Sequence, residues 1–395
     1  MARVVDGLDD LLSDGFTRVL LIDVLHGTDP VATGVLADSW SLDGDIGRDP
    51  KTTGKVRIAY RSLNGESWTP TGRDGVLSPY KATLLLTEVI SAGTYRRVVQ
   101  LGLFDVVAVP YAQDTRAVVG ARWVESFTTE GDEFGDEFED DFPGELVYAG
   151  GRLVGGREVV VASVVELELE SLDGRVLRAS LRSPRTSLDS AIDEWRAVGL
   201  LPVSAPAADA GIPVTVWPAE DGSRLDAVQH SARALGGVPA VNSFGQWALL
   251  DDETPTVTLV LGERGTVVDI SSGLDLDDFA NVIIGNYEDD AGQPIRAEWV
   301  ASGGLAPSAM GREVVKYHTS NTVRTQAAAD AAVAEQGYLA TTREVDYEVT
   351  CVYNPVLELG DHVVVDGSDV AGVAVQVQVS SAAEMVVTVR MRRSL

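Results

Sequence analysis

The sequence predicts a mainly β chain of the α+β class, with two β-rich regions flanking a small α+β insert. Three observations carry this. From the N-terminus to about residue 180, and again from about residue 256, strand-length apolar runs are separated by Gly, Asp, Pro and Ser. Between these regions the apolar spacing changes to that of helices. Many short strands with closely spaced turns point to a barrel or a sandwich.

In the first region the runs are FTRVLLIDVL, VATGVLADSWSL, KVRIAYRSL, YKATLLLTEVI, TYRRVVQLGLFDVVAV, TRAVVGARWVESF, EVVVASVVELELES and GRVLRASL. Several alternate with period two, as half-buried strands do. Val56, Ile58 and Tyr60 oppose Arg57 and Ala59, and Val165, Leu167 and Leu169 oppose Glu166, Glu168 and Glu170. Leu172-Asp173-Gly174 reads as a tight hairpin turn into GRVLRASL. Within this region, residues 130–145 read EGDEFGDEFEDDFPGE, nine acidic residues of sixteen with three interleaved phenylalanines. The Asp-x-Asp-x-Asp-Gly order of a calcium loop is absent there. A like-charge block of this kind is a solvated loop, or a docking segment that orders against a partner.

The insert spans 181–262. SPRTSLDSAIDEWRAVG predicts a helix capped by Thr186, with Leu188, Ile192 and Trp195 on one face and Gly199 as its stop. GIPVTVW follows as a short strand. GSRLDAVQHSARALGG predicts a second helix capped by Ser223, with Leu225, Val228, Ala232 and Leu235 as its buried stripe. VPAVNSFGQWALL closes the insert as a hairpin turning at Ser243-Phe244-Gly245. Two single-striped helices can form a small private core, so this domain is expected outside any channel.

TVTLVLG, NVIIGNY and PIRAEWVA return the chain to strands and lead into an alanine-rich helix, TVRTQAAADAAVAEQGYLATTREV. Thr325 can cap that helix, and Ala329, Val333, Gln336 and Ala340 give it a face of mostly small side chains, suited to close approach to a sheet. Four alternating strands follow. Val345, Tyr347, Val349 and Cys351 share one face of the first, and a Gly360-Asp361 turn admits the second. Val375, Val377 and Val379 alternate in the third, and Met385, Val387, Val389 and Met391 in the fourth.

The totals narrow the function. A chain of 395 residues can hold two or three domains, and no apolar run is long enough to span a bilayer. The start, MARVVDGLDDLL, lacks the basic and apolar segments of a secretory signal. One cysteine excludes an internal disulfide, and Cys351 on an apolar strand face reads as a buried, inert thiol. The chain thus folds in a reducing cytoplasm or is indifferent to redox state. A net charge of −29 argues against holding nucleic acid by its phosphates and against anionic membranes. Solubility or a salt-rich habitat accounts for that charge, and so does a surface past which DNA slides without sticking.

No catalytic, cofactor-binding or metal-binding residue stands out. His26, His230, His318 and His362 lie far apart with no paired spacing. No Gly-x-Ser-x-Gly elbow is present. Gly54-Lys55 is followed by Val56 and preceded at the required spacing by Asp49, so it is not a phosphate loop. Sixty acidic residues make any carboxylate pair uninformative.

Three segments together resemble the tail hub, or baseplate hub, proteins of tailed bacteriophages, those of actinobacterial siphophages in particular. DSWSLDGDIGRDPKTTGKVRIAYRS with LSPYKATLLLTEVISAGTYRRVVQLGLFDVVAV is similar to the N-terminal hub barrel. LRSPRTSLDSAIDEW with DGSRLDAVQHSARALGGVPAVNSFGQWALL is similar to the small inserted helical domain. LDDFANVIIGNYEDD, the alanine-rich helix and YNPVLELGDHVVV resemble the second hub barrel. The acidic run at 130–145 has no counterpart in that pattern.

The resemblance implies two tail-tube-like β-barrel domains, 1–180 and 263–395, the second with one helix, around the inserted domain at 181–262. It implies a structural protein of the virion tail tip, made in the host cytoplasm. Three chains would form a homotrimeric ring with pseudo-sixfold symmetry, joining the tail tube and distal tail protein to the tip spike or tail fibre proteins. The tape-measure protein, and then DNA without specific binding, would pass through its channel. Some relatives carry a fused lysozyme or peptidase, but this chain closes on its final strand at Leu395, so no such domain and no enzymatic activity are expected. Two other classes stay open at this point: a tail-associated enzyme that degrades cell walls, and a module that binds a host receptor.

Overall fold

A computed structural model describes residues 16–61, 67–119, 122–129, 146–154, 157–204, 209–218, 223–250, 256–262, 265–272, 279–289, 292–320, 323–341 and 343–393. The acidic run at 130–145 lies outside the described residues. In chain order the strands are β1 (Thr17–His26), β2 (Asp29–Asp45), β3 (Thr52–Arg61), β4 (Ala82–Ala92), β5 (Tyr95–Val119), β6 (Arg122–Thr129), β7 (Leu146–Val154) and β8 (Arg157–Ser171). The insert adds β9 (Arg185–Thr186), β10 (Val216–Trp217), β11 (Val238–Val241) and β12 (Trp247–Leu250). Then come β13 (Thr256–Val260), β14 (Val267–Ser272), β15 (Val282–Glu288), β16 (Pro294–Val300), β17 (Val315–His318), β18 (Arg343–Val352), β19 (His362–Asp366), β20 (Ala371–Ser380) and β21 (Glu384–Arg393). The helices are α1 (Asp173–Arg178), α2 (Ala191–Val198), α3 (Ser223–Ala234), α4 (Pro307–Met310) and α5 (Gln326–Thr341).

The chain is mainly β, and twelve of its strands share one sheet. Its pairings trace two circuits. In the first, β1 pairs β4, then β5, β8, β3 and β2 follow antiparallel, and β2 returns to β1. In the second, β13 pairs β19 in parallel, and β20, β21, β18 and β14 follow antiparallel. A bridge between Leu261 and Val267 brings the ends of β13 and β14 back together. The second half of β2 keeps β3 on one edge and, beyond its pairs with β1, takes β20 on the other, from Ser41 opposite Ser380 to Asp45 opposite Gln376.

Period-two alternation supplies the interior. Leu20, Ile22 and Val24 of β1, Val56 and Ile58 of β3, and Val165, Leu167 and Leu169 of β8 are all buried in one core. Val349, Cys351, Met385, Val387 and Val389 extend that core into the second circuit. The sequence places Ala374 on the polar face of β20, yet Ala374 and Val375 are both buried. The register shift between Ala374 and Gln376 explains this, because a bulge turns two successive side chains inward.

The turn expected at Leu172-Asp173-Gly174 is instead the entry to α1, and GRVLRASL forms no strand. Tertiary contacts override the hairpin signal. Val176 and Leu172 are buried in the core of the insert, and the Asp173 carboxylate accepts the Lys51 backbone N–H at 2.8 Å. The insert core joins these to Trp195, Val198, Trp217, Val228 and Trp247. Ser190, not Thr186, caps α2, its hydroxyl accepting the Asp193 N–H at 3.3 Å, while Thr186 pairs in β9. Gly199 ends α2 as expected, and β11 and β12 form the expected hairpin around Gly245, which has a positive φ of 73°.

A third layer departs from the sequence reading. Helix α5 packs on the sheet β16-β15-β17 rather than on the four strands that follow it. Its small face permits that approach: a Cβ on Gly337 would sit 2.1 Å from the Trp299 ring, and Ala329 and Val333 are buried beside Ile283 and Tyr287. Thr325 caps the helix as expected, accepting the Ala328 N–H at 3.3 Å.

Beyond the first circuit, β5 and β8 continue as a two-stranded ribbon to Val119 opposite Arg157. Strands β6 and β7 form a separate two-stranded ladder from Arg122 opposite Val154 to Thr129 opposite Leu146. In the sequence, residues 130–145 link β6 to β7.

Candidate functional site

The joint between the two circuits holds a deeply buried ion pair. Arg18 stands on β1 with its side chain 7% exposed, and Glu88 stands on β4 with its side chain fully buried. Glu88 occupies an inward position in the row Leu84, Leu86 and Ile90, where period-two alternation would place an aliphatic side chain. Arg18 Nε donates to Glu88 Oε1 at 2.6 Å, and the Tyr353 hydroxyl donates to Glu88 Oε2. Arg18 Nη1 donates to the carbonyls of Ser380, at 3.0 Å, and of Ala382. The guanidinium lies 3.3 Å from the centre of the Tyr353 ring and 5.0 Å from that of Trp40.

This arrangement crosses the joint. Arg18, Trp40 and Glu88 belong to the first circuit, whereas Tyr353, Ser380 and Ala382 follow or end strands of the second. A desolvated ion pair stacked on aromatic rings and tied to carbonyls fixes relative orientation more than it adds stability. Gln376 Nε2 donating to Asp45 Oδ2 at 3.2 Å adds a second polar tie along β2–β20. Sequence reasoning missed this cluster. The one legible signal is Glu88, a lone carboxylate on the apolar face of TLLLTEVI.

The insert meets both circuits around a cleft of about 160 Å³ lined by Lys51, Leu103, Ser243, Asn354 and Asp361 among others. Gln100 Nε2 reaches the Ser243 carbonyl at 2.6 Å, and Gly245 packs so tightly on Leu103 that a Cβ would approach it to 2.8 Å. The hairpin turn is thus the insert's foot on the first circuit.

The sequence-singled groups stay dispersed. His26 contacts the Val76 carbonyl at 2.9 Å, His230 packs edge-on to Trp217, His318 meets the Tyr287 hydroxyl at 2.8 Å, and His362 opens β19. Gly54 and Lys55 lie inside β3, where a Cβ on Gly54 would strike Leu42 at 2.5 Å, so this glycine serves sheet packing. Among the described residues, no group of three or more His, Cys, Asp or Glu side chains is placed to hold a metal ion, and no helix is long and apolar enough to cross a membrane.

Cys351 is buried in the shared core, and burial pushes its thiol up to about 12. A raised pKa keeps the nucleophilic thiolate absent at mildly alkaline pH. A thiol-exchange reagent at pH 8 is therefore expected to leave the native chain unmodified and to titrate one thiol after denaturation. Rapid labelling of the native chain would contradict this burial.

No protein-family model matches the sequence, and no curated protein does. Among solved structures, the chain is similar to the tail protein from Neisseria meningitidis MC58, with a TM-score of 0.57 and 12% identity, over 94% of this chain and 96% of that one. It is also similar to the 43 kDa tail protein of prophage MuSo2 from Shewanella oneidensis, with a TM-score of 0.52 and 12% identity, over 95% of this chain and 98% of that one. At this identity the likeness is one of fold.

Proposed function

We propose that the chain is a structural virion protein, the hub at the distal end of a phage tail. The observation that carries this reading is the pair of strand circuits within one chain, joined at β2–β20, in a fold shared along nearly its whole length with two tail proteins. Each circuit is read as a tail-tube-like barrel, so three chains supply six similar units to a ring that meets a sixfold tail tube. Closing such a ring also covers strand edges that would otherwise invite aggregation. The Arg18–Glu88–Tyr353 cluster then sets the angle between successive units.

The ring joins the tail tube and distal tail protein to the tip spike or fibres, and it conducts the tape-measure protein and DNA. The insert at 181–262 sits outside the channel. A chain of net charge −29 gives the channel wall fixed carboxylates that repel phosphates. Salt screens that repulsion beyond about 8 Å, a distance within which a narrow channel keeps the two surfaces. The role is mechanical, and no hydrolysis of peptidoglycan or polysaccharide is proposed. Gold-labelled antibodies against the chain, applied to virions of the phage that encodes it, are expected to mark the tail end distal to the capsid. Label on the capsid, along the whole tail, or in no particle would refute the assignment.

A further inference from the structure

The two strand circuits share one cyclic order. The first runs β5-β8-β3-β2-β1-β4 and the second β20-β21-β18-β14-β13-β19, with β13 alone reversed in direction. In that order β14 holds the place of β2, and β5 holds the place of β20. At the joint, β2 and β20 each divide one edge between two neighbours. The first half of β2 pairs with β1 and its second half with β20, while β20 begins on β19 and ends on β2. Their counterparts begin in the same way. Residues 95–105 of β5 pair with β4, and Val267 at the start of β14 bridges to Leu261, just after β13. Beyond those points, among the described residues, the same edge is unpaired in both strands, along 106–119 of β5 and 268–272 of β14. Tyr111 on the first stretch and Val268 on the second are 42% and 58% exposed.

We propose that the free edge of β14 in one copy pairs with the free edge of β5 in the next, repeating between chains the joint that β2 and β20 make within one. This names the contact between copies in the ring proposed above and rests on that reading. Strand direction permits it. From β5 through β8, β3, β2, β20, β21 and β18 to β14, each strand is antiparallel to the one before. β14 and β5 thus run in opposite senses, and continuing the sheet into a second copy makes an antiparallel ladder. The two edges differ, so the contact is head-to-tail, and a threefold rotation closes it. Left open, both edges would be templates for unwanted pairing. Pro110, which cannot donate to a ladder, falls in the bulge between Ala108 and Tyr111, where β5 already breaks register with β8.

A short bismaleimide applied to full-length chains under native conditions tests this, with Gln113→Cys on β5 and Ser271→Cys on β14, both at exposed positions. The native Cys351 is buried and offers no second target. Co-expressed single variants are expected to give a covalent pair holding one chain of each kind, and neither variant alone should give any. The double variant should run to a covalent trimer and no further. Pairs from either single variant alone, products larger than a trimer, or no covalent product between chains would each overturn the proposal. The mass of the parent chain in solution separates two failures. A trimer without these links would remove this contact and leave the ring standing, whereas a monomer would remove both.

Discussion

Replacing Glu88 with alanine is expected to destabilise the chain by about 3–5 kcal/mol, the cost of leaving a buried charge without its partner. Arg18 would keep its guanidinium among Tyr353, Trp40 and two carbonyls with no carboxylate opposite, and the Tyr353 hydroxyl would lose its acceptor. Tyr353→Phe removes the hydrogen bond from its hydroxyl to the Glu88 carboxylate and should cost about 1.5–3 kcal/mol. The double replacement Arg18→Met with Glu88→Leu removes both charges and should recover most of the loss. Urea unfolding followed by circular dichroism reads these differences. A Glu88→Ala chain within about 0.5 kcal/mol of the parent would show that the cluster does not behave as a desolvated pair.

The second large effect is expected at Trp247. Its side chain is 1% exposed, its Nε1 donates to the Gly199 carbonyl at 2.7 Å, and its ring meets that of Trp195 at 5.9 Å. A Cβ on Gly199 would come within 2.6 Å of the indole, so the turn after α2 is built around this ring. Trp247→Ala should therefore cost about 3–5 kcal/mol, as large-to-small changes at buried aromatic positions do. Because the insert has its own core, the loss should be local. Limited proteolysis is expected to cut within 182–250 while the strand signal persists. Global unfolding at the same denaturant concentration would show that the insert and the strand circuits are one cooperative unit.

Local periodicity explains what the sequence makes legible. Val56 and Ile58, Val165 to Leu169, and Met385 to Met391 each follow the pleat, and their burial follows from it. Helix α5 and its Thr325 cap are equally local. Pairing is not local. Nothing near Ser41 indicates that β2 will join β20 at Ser380, and nothing near Arg18 indicates that its guanidinium will stack on Tyr353. The small face of α5 signals close approach to a sheet, yet only the tertiary structure selects β15 and β16 over the strands that follow. The hairpin signal at Leu172-Asp173-Gly174 lost to buried partners just ahead of β3 and in the insert, Lys51 among them. Of the joint, Glu88 alone left a mark in the sequence.

A three-dimensional reconstruction of the tail tip by electron cryomicroscopy tests the central claim most directly. The account predicts three copies around the tail axis, with their six strand circuits alternating, and more Asp and Glu than Lys and Arg on the channel wall. Six copies, a single copy, or a basic channel wall would contradict it.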